Sequence, residues 1–216
     1  MNPVLVVGVG RCGSSALANI LRHLGVFMGE QFGKPDAHNP RGYWEDLEFK
    51  HLHQAFLGSD VSVTEFCHSV MGLAEKRKQY ERWGFKDPRT AQMLPLYRRL
   101  LFPEAQYLWC QRDARDIQWS MFRGFPDANG GNQPWMAHYT WWIRHNMLEQ
   151  WLPASDKACM RIAFDDLMQR PGWIIGHVCA FLGITATFAQ VEEAIKTIQP
   201  RQETPDGLGA PMLTKD

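Results

Sequence analysis

Apolar residues along the chain fall either in short continuous runs or at helical spacing. Residues 4–8 are nearly all apolar, which is typical of a strand buried on both faces of a parallel sheet. The helix predicted after them carries apolar residues at helical spacing, namely Leu17, Ile20, Leu21 and Leu24. Gly25 is well placed to end this helix. The first 25 residues are therefore predicted to form a strand, a glycine-rich turn and a helix.

The same alternation continues to the end of the core. Further strands are predicted at 83–86, 106–111 and 159–164. Further helices are predicted at 45–57, 70–82, 90–101, 114–122, 135–152, 171–182 and 187–198. Segments 29–43 and 123–134 are rich in Gly, Pro and Asn and are expected to be loops, and the tail from about 200 is expected to be irregular. Alternating strands and helices predict one α/β domain over 1–216, with three α/β/α layers and a central parallel sheet.

Composition narrows the functional classes. The chain has 216 residues, with 23 Lys plus Arg against 23 Asp plus Glu, and this zero net charge argues against nucleic-acid binding. Apolar runs are far shorter than the roughly 20 residues that a membrane span needs, and the N-terminus lacks the features of a signal peptide. The five cysteines form no CxxC pair, so neither a disulfide framework nor a zinc site is expected. We therefore expect a cytoplasmic protein with reduced thiols.

Tryptophan is unusually frequent, with nine in the chain and several of them in 135–151. Two interpretations follow. The aromatic side chains either pack this helix against the core or line a pocket for a substrate.

The glycine-rich turn after the first strand has the frame of a phosphate-binding loop. Gly8 and Gly13 have the spacing of a P-loop, but Ser14 stands where that loop has its lysine. Glycines allow backbone N–H groups to converge on an anion, and the following helix N-terminus favours negative charge. Arg11 is the loop's cation, which suits one phosphate better than a triphosphate with Mg²⁺. The fold is thus predicted to be like that of P-loop NTPases; the alternative is a tight glycine turn without a ligand.

A second phosphate-binding pattern follows a later strand. Arg112 comes at the end of the strand predicted at 106–111, and Ser120 stands eight residues further on in the next helix. A guanidinium fork and a short hydroxyl are both good donors to phosphate oxygens. The alternative is a helix start with exposed charge pairs.

Together these two motifs resemble the cofactor motifs of the sulfotransferases. Residues 10–15, Gly-Arg-Cys-Gly-Ser-Ser, are similar to the family's 5′-phosphosulfate loop, and Arg112 with Ser120 resembles its 3′-phosphate motif. Segments 39–45, 84–89, 164–167 and 181–184 are also similar to stretches found in the family, so the resemblance runs from Val4 to about Ile184. Members transfer a sulfuryl group from 3′-phosphoadenosine 5′-phosphosulfate (PAPS) to an acceptor and release 3′-phosphoadenosine 5′-phosphate (PAP).

The resemblance implies how the donor would be held. It assigns the 5′-phosphate to Arg11, Cys12, Gly13, Ser14 and Ser15. It assigns the 3′-phosphate to Arg112 and Ser120. The family's third cofactor segment is not recognisable in this chain, and Arg201 is the candidate to replace it. No metal is expected, since cations and backbone amides can neutralise a single phosphate leaving group.

The resemblance also suggests catalytic residues. Glu45 matches the glutamate that many members use as the base for the acceptor's proton, with Asp46 or His51 as alternatives. Lys86 and Arg11 would stabilise the transferring group. Glu45 and Lys86 each have a structural alternative. Acidic residues are favoured in the first turn of a helix in any case, and a lysine at a strand end is often simply solvated.

Two other functions stay open. A small-molecule kinase would need a carboxylate for Mg²⁺ at a strand end, where this chain has Arg112. A PAPS-binding protein without turnover would need the same binding residues and no base. The acceptor is expected to be a small molecule or a carbohydrate, with the two predicted loops shaping its pocket. The sequence fixes neither its identity nor the oligomeric state.

Overall fold

The computed structural model describes residues 2–36, 39, 42–124 and 134–198. Within these residues the strands are β1 (Val4–Val7), β2 (Gly84–Lys86), β3 (Gln106–Gln111) and β4 (Cys159–Ala163). The α-helices are α1 (Ser14–His23), α2 (Leu47–Leu57), α3 (Val63–Arg77), α4 (Thr90–Leu96), α5 (Ala114–Gly124), α6 (Pro134–Trp151), α7 (Phe164–Gln169), α8 (Pro171–Leu182) and α9 (Phe188–Lys196). A π-helical turn, Tyr97–Leu101, continues α4.

The four described strands form one parallel sheet in the order β2-β1-β3-β4. Val4 of β1 is in register with Gly84 on one side and with Gln106 on the other. The chain thus passes from β1 to one neighbour and later returns to the other side of β1. Ligands of open α/β sheets bind outside the carboxyl ends of the strands at such a reversal, which lies here between β1 and β3.

Helices cover the sheet in two layers, which confirms the predicted three-layer α/β fold. Helix α9 packs against α1 and α8, while α6 packs against α4 and α5. The central strands are apolar because both of their faces meet helices, and Leu5, Phe85 and Trp109 are essentially inaccessible to solvent. Within the described residues, no helix is both long enough and apolar enough to cross a membrane.

Several predicted boundaries differ from the structure for identifiable reasons. Helix α3 begins at Val63, well before the predicted residue 70, because Ser62 and Glu65 form a capping box. The predicted helix at 90–101 is α-helical only to Leu96; Pro95 lies inside it, and the remainder is the π turn. Helix α7 was not predicted: it follows β4 without a loop and has only 6 residues.

The aromatic helix α6 agrees in part with the first interpretation, because some of its aromatic side chains pack against the core and others are exposed. Trp135, Tyr139 and Trp142 are 59%, 55% and 53% exposed and lie along one stripe of the helix. Leu148 is fully buried, and Trp141 packs against the core from the other side. Most of the predicted loop at 123–134, and the irregular tail from 200, lie outside the described residues.

Candidate active site

The carboxyl ends of all four described strands contribute to one edge of the sheet. The loop 8–13 follows β1, and Lys86 is the last residue of β2. Arg112 follows β3, and Phe164 follows β4 as the first residue of α7. Because the strands are parallel, residues far apart in sequence meet at this edge.

The loop between β1 and α1 requires glycine at both ends. A Cβ on Gly8 would lie 2.5 Å from the sulfur of Cys12, and a Cβ on Gly13 would lie 2.4 Å from the ring of Phe164. Gly13 also has a φ of 96°, in the left-handed region that side chains disfavour. The loop therefore passes close to the start of α7, which explains why Phe164 belongs to the site.

Arg11 connects the two predicted phosphate motifs. Its backbone φ is 72°, an uncommon value for a residue with a side chain. Its Nε donates a hydrogen bond of 2.9 Å to Oγ of Ser120 in α5. Arg112 donates to the carbonyl oxygen of Arg11 at 3.2 Å, and its guanidinium lies 4.5 Å from the centre of the Phe164 ring. The residues assigned to the two phosphates are thus neighbours in space.

Two buried thiols lie beneath this loop. Cys12 and Cys110 are almost inaccessible to solvent, and Sγ of Cys110 donates to the carbonyl oxygen of Cys12 at 2.9 Å. The contact between the two thiols lowers the pKa of Cys12 to about 7, against the effect of burial and with help from Ser14 and Lys86. The same contact, together with burial, raises the pKa of Cys110.

A hydrogen-bonded network links the loop to the predicted base. The carbonyl oxygen of Tyr43 accepts one hydrogen bond from Oγ of Ser15 and another from Nζ of Lys86, both of 3.0 Å. Nζ of Lys86 also donates to Oε1 of Glu45 at 3.0 Å. Lys86 is 3% exposed and Glu45 7%, so this is a buried ion pair at the end of β2.

Further cations surround Glu45. Nζ of Lys50 and Nη1 of Arg89 each lie 3.8 Å from Oε2 of its carboxylate. The carboxylate is therefore held among three positive charges, of which Lys86 is the nearest.

The two alternative bases have different surroundings. Asp46 is buried, accepts a hydrogen bond of 3.0 Å from the backbone N–H of Glu48 at the start of α2, and pairs with the guanidinium of Arg77. Burial raises the pKa of Asp46, an effect that Arg77 opposes. His51 is exposed on α2.

A second buried network surrounds Asp87, the residue that follows β2. Nδ1 of His53 is 3.0 Å from Oδ2 of Asp87, and its Nε2 is 2.7 Å from the hydroxyl of Tyr97. Nη1 of Arg89 donates to both oxygens of Asp87, at 3.0 and 3.1 Å. Burial would raise the pKa of Asp87, but His53 and Arg89 together lower it to about 2.

One cation of the site lies on α6. Arg144 approaches the glycine loop: its Nη1 is 3.8 Å from where a Cβ on Gly10 would be. Sequence reasoning missed Arg144, as it missed Phe164, Arg89 and the pair of His53 with Asp87. Asp87, Arg89 and Phe164 lie within segments 84–89 and 164–167, whose resemblance to the family gave these residues no role. Arg144 and His53 lie in no such segment, and the fold brings them to the site.

Most of the residues predicted for the site meet at this edge. The structure brings together Arg11, Cys12, Gly13, Ser14, Ser15, Glu45, Lys86, Arg112 and Ser120. Arg201, the predicted third cofactor contact, lies outside the described residues.

Comparisons with known proteins identify the family and the fold of the chain. Residues 3–188 match the model of the sulfotransferase family. The sequence matches no curated protein.

Several solved structures of sulfotransferases are similar to this chain in fold. The sulfotransferase domain of the olefin synthase of Synechococcus PCC 7002 is 17% identical, with 88% of this chain and 76% of that chain covered and a TM-score of 0.60. Sulfotransferase STF1 of Mycobacterium tuberculosis is 16% identical, with coverages of 91% and 71% and a TM-score of 0.62. Mouse sulfotransferase SULT7A1, solved with PAP, is 13% identical, with coverages of 92% and 64% and a TM-score of 0.55.

Proposed function

Because the chain belongs to the sulfotransferase family, we propose that this enzyme takes its sulfuryl group from PAPS, passes it to a hydroxyl or amine of a small-molecule or carbohydrate acceptor, and releases PAP. The mouse relative was solved with PAP, which supports this choice of donor. We also propose a cytoplasmic location, because all five cysteines are free thiols, as in reducing compartments.

The loop 8–13 and α5 suit the two phosphate ends of such a donor. Helix α1 begins at Ser14, directly after the loop, and the N-terminus of a helix favours a bound anion, to which Arg11 adds a positive charge. Arg112 and Ser120 offer a guanidinium and a hydroxyl for the 3′-phosphate. The hydrogen bond of 2.9 Å between Arg11 and Ser120 keeps the two sets of donors together.

The observation that carries the proposal is the network at the carbonyl oxygen of Tyr43. That oxygen accepts hydrogen bonds from Ser15 of the glycine loop and from Lys86, which in turn donates to Glu45 at 3.0 Å. A phosphate loop, a buried ammonium group and a carboxylate are thereby fixed relative to one another. Sulfuryl transfer needs such a set: an anchor for the leaving phosphate, a cation for the developing charge and a base.

Each residue then has a distinct role. PAPS, when bound, supplies an activated sulfuryl group whose bond to the 5′-phosphate oxygen breaks as the acceptor attacks. Glu45 accepts the proton that the acceptor's hydroxyl or amine loses. Lys86 stabilises the negative charge that grows on the leaving oxygen, and it does so from a buried position where electrostatic interactions are strong. Arg11 and the loop amides hold the 5′-phosphate in place.

The test is a titration of the purified protein with PAP and, separately, with ATP plus Mg²⁺, followed by calorimetry and thermal unfolding. PAP is expected to bind and to raise the unfolding temperature, since a ligand that binds only the native state stabilises it. Arg112→Ala is expected to weaken PAP binding by about tenfold to a hundredfold, the value of a charged hydrogen-bonded contact.

Arg115→Gln is the matched control, because Arg115 also lies at the start of α5 but its side chain is 84% exposed. It should leave PAP binding unchanged. Binding of ATP with Mg²⁺ but not of PAP would overturn the proposal in favour of a kinase.

A further inference from the structure

Helix α6 places a cation at the site that belongs to neither phosphate motif. Arg144 lies on the side of α6 that faces the sheet edge, away from the exposed stripe of Trp135 and Trp142. Its Nη1 comes within 3.8 Å of the Cβ position of Gly10, in the middle of the glycine loop. Its Nε donates a long hydrogen bond of 3.4 Å to the side-chain oxygen of Gln92 in α4.

Arg144 lacks an anionic partner within the described residues. Its hydrogen bond to neutral Gln92 is its one polar contact there, whereas Arg77 and Arg89 each contact carboxylates. Burial lowers the pKa of Arg144, and the charges of Asp87 and Glu45 oppose that effect only from a distance. Holding a guanidinium in a partly desolvated position without a counter-charge costs free energy. A ligand that brings negative charge would remove that cost.

The contact of Arg144 with α4 indicates which substrate it faces. Gln92 lies in α4, the helix that follows β2, and Glu45, Asp87 and Arg89 lie next to the end of that strand. Under the proposed function, the β2 side is where the acceptor meets its base, and Arg11 and Arg112 already serve the phosphates of the donor. Arg144 is thus placed on the acceptor side of the glycine loop.

We propose that Arg144 determines specificity by binding an anionic group of the acceptor, such as a carboxylate or a phosphate. This inference rests on the proposed function and adds to it a class of acceptor: a molecule with a negative charge besides the hydroxyl or amine that is modified. The guanidinium fork suits two oxygens of such a group. Gln92 holds the fork in position through the bond to Nε.

The test uses small probes on the PAP-loaded protein. Benzoate and phenyl phosphate are the anionic probes, and benzamide is the uncharged probe of similar shape. Both anions are expected to bind to the wild type, and Arg144→Gln should weaken them by about tenfold or more, which corresponds to about 1.4 kcal/mol. Arg144→Lys should retain part of the affinity because it retains the charge, whereas Arg115→Gln should change nothing. Benzamide binding should be the same in all variants.

The possible outcomes distinguish failure of the proposed function from failure of the role of Arg144. Failure of the wild type to bind PAP would speak against the proposed function. If PAP binds but neither anion does, or if the anions bind equally well to Arg144→Gln, the role of Arg144 is overturned. It is also overturned if Arg144→Gln weakens PAPS and leaves PAP unaffected, because Arg144 would then contact the donor's sulfonate. Thermal unfolding of the unliganded variants checks that each one is folded.

Discussion

The two halves of the site are built in different ways. The β1 and β3 half consists of a glycine loop, backbone N–H groups and the partly exposed cations Arg11 and Arg112. The β2 half consists of buried charges that already have partners: Lys86 with Glu45, and Asp87 with His53. One half thus offers partly exposed donors to a ligand, and the other consists of buried charges that pair with one another.

This difference predicts how each half responds to substitution. A buried charge that loses its partner destabilises the fold itself, by about 3–5 kcal/mol. A partly exposed donor that is removed costs little stability and mainly weakens the ligand. Substitutions on the β2 side should therefore affect stability and catalysis together, and those on the β1 and β3 side should mainly affect binding.

The largest effect is expected from Glu45→Gln. The change leaves Lys86 buried without its counter-charge, so the free energy of unfolding should fall by about 3 kcal/mol. If Glu45 is the base, transfer to an acceptor should also fall by about a hundredfold to ten-thousandfold. PAP affinity should change little. Denaturant unfolding, PAP titration and transfer of labelled sulfate from PAPS measure the three quantities.

Glu75→Gln is the control for this experiment, because its carboxylate pairs with Lys78 on the surface and is 70% exposed. It should leave all three quantities unchanged. A stable Glu45→Gln variant with normal transfer would remove the distinction between the two halves and the role of Glu45 with it.

A smaller effect, visible in its pH dependence, is expected from Asp87→Asn. The pKa of Asp87 lies at about 2 in the folded protein against 3.8 in a model compound. A lowered pKa stabilises the fold at pH values above the unfolded value, and this contribution is lost as the pH falls through the folded value. The free energy of unfolding of the wild type should therefore contain a pH-dependent contribution of about 2 kcal/mol that the variant lacks. This contribution should be constant from pH 7 to about 5 and should be lost between about pH 4 and 2.

Asp166→Asn serves as the comparison, since Asp166 forms an exposed ion pair with Arg170. Stability curves of wild type and Asp87→Asn that stay parallel down to pH 2 would show that Asp87 does not have this depressed pKa.

The sequence predicted the helices and strands better than the contacts between residues that are far apart in the chain. The bounds of β3 and α8 agree with prediction because apolar spacing and flanking residues determine them locally. The start of α3 had a readable signal in the capping box of Ser62 and Glu65, which the apolar pattern alone overlooks. The short helix α7 follows β4 directly, and its first residue, Phe164, lies against Gly13, a contact between residues far apart in the chain.

The same distinction applies to the candidate site. Arg11 and Arg112 could be identified because each stands in a short motif next to a strand. His53 lies 34 positions from its partner Asp87, and Arg144 lies 52 positions from Gln92. Only the parallel sheet and the packing of α6 bring these pairs together, so a single sequence contains no local pattern for them.

The smallest effect is expected from Ser120→Ala, which tests the ligand-binding half alone. The hydroxyl accepts a hydrogen bond of 2.9 Å from Arg11 in a partly buried position, so its loss should cost about 1 kcal/mol of stability or less. PAP affinity should fall by about threefold to tenfold, since one neutral donor to phosphate is lost while Arg112 remains. Ser120→Thr keeps the hydroxyl and should restore the affinity. A loss of stability as large as that expected for Glu45→Gln would mean that Arg11 and Ser120 also form part of the folded framework, and the two halves would then differ in degree rather than in kind.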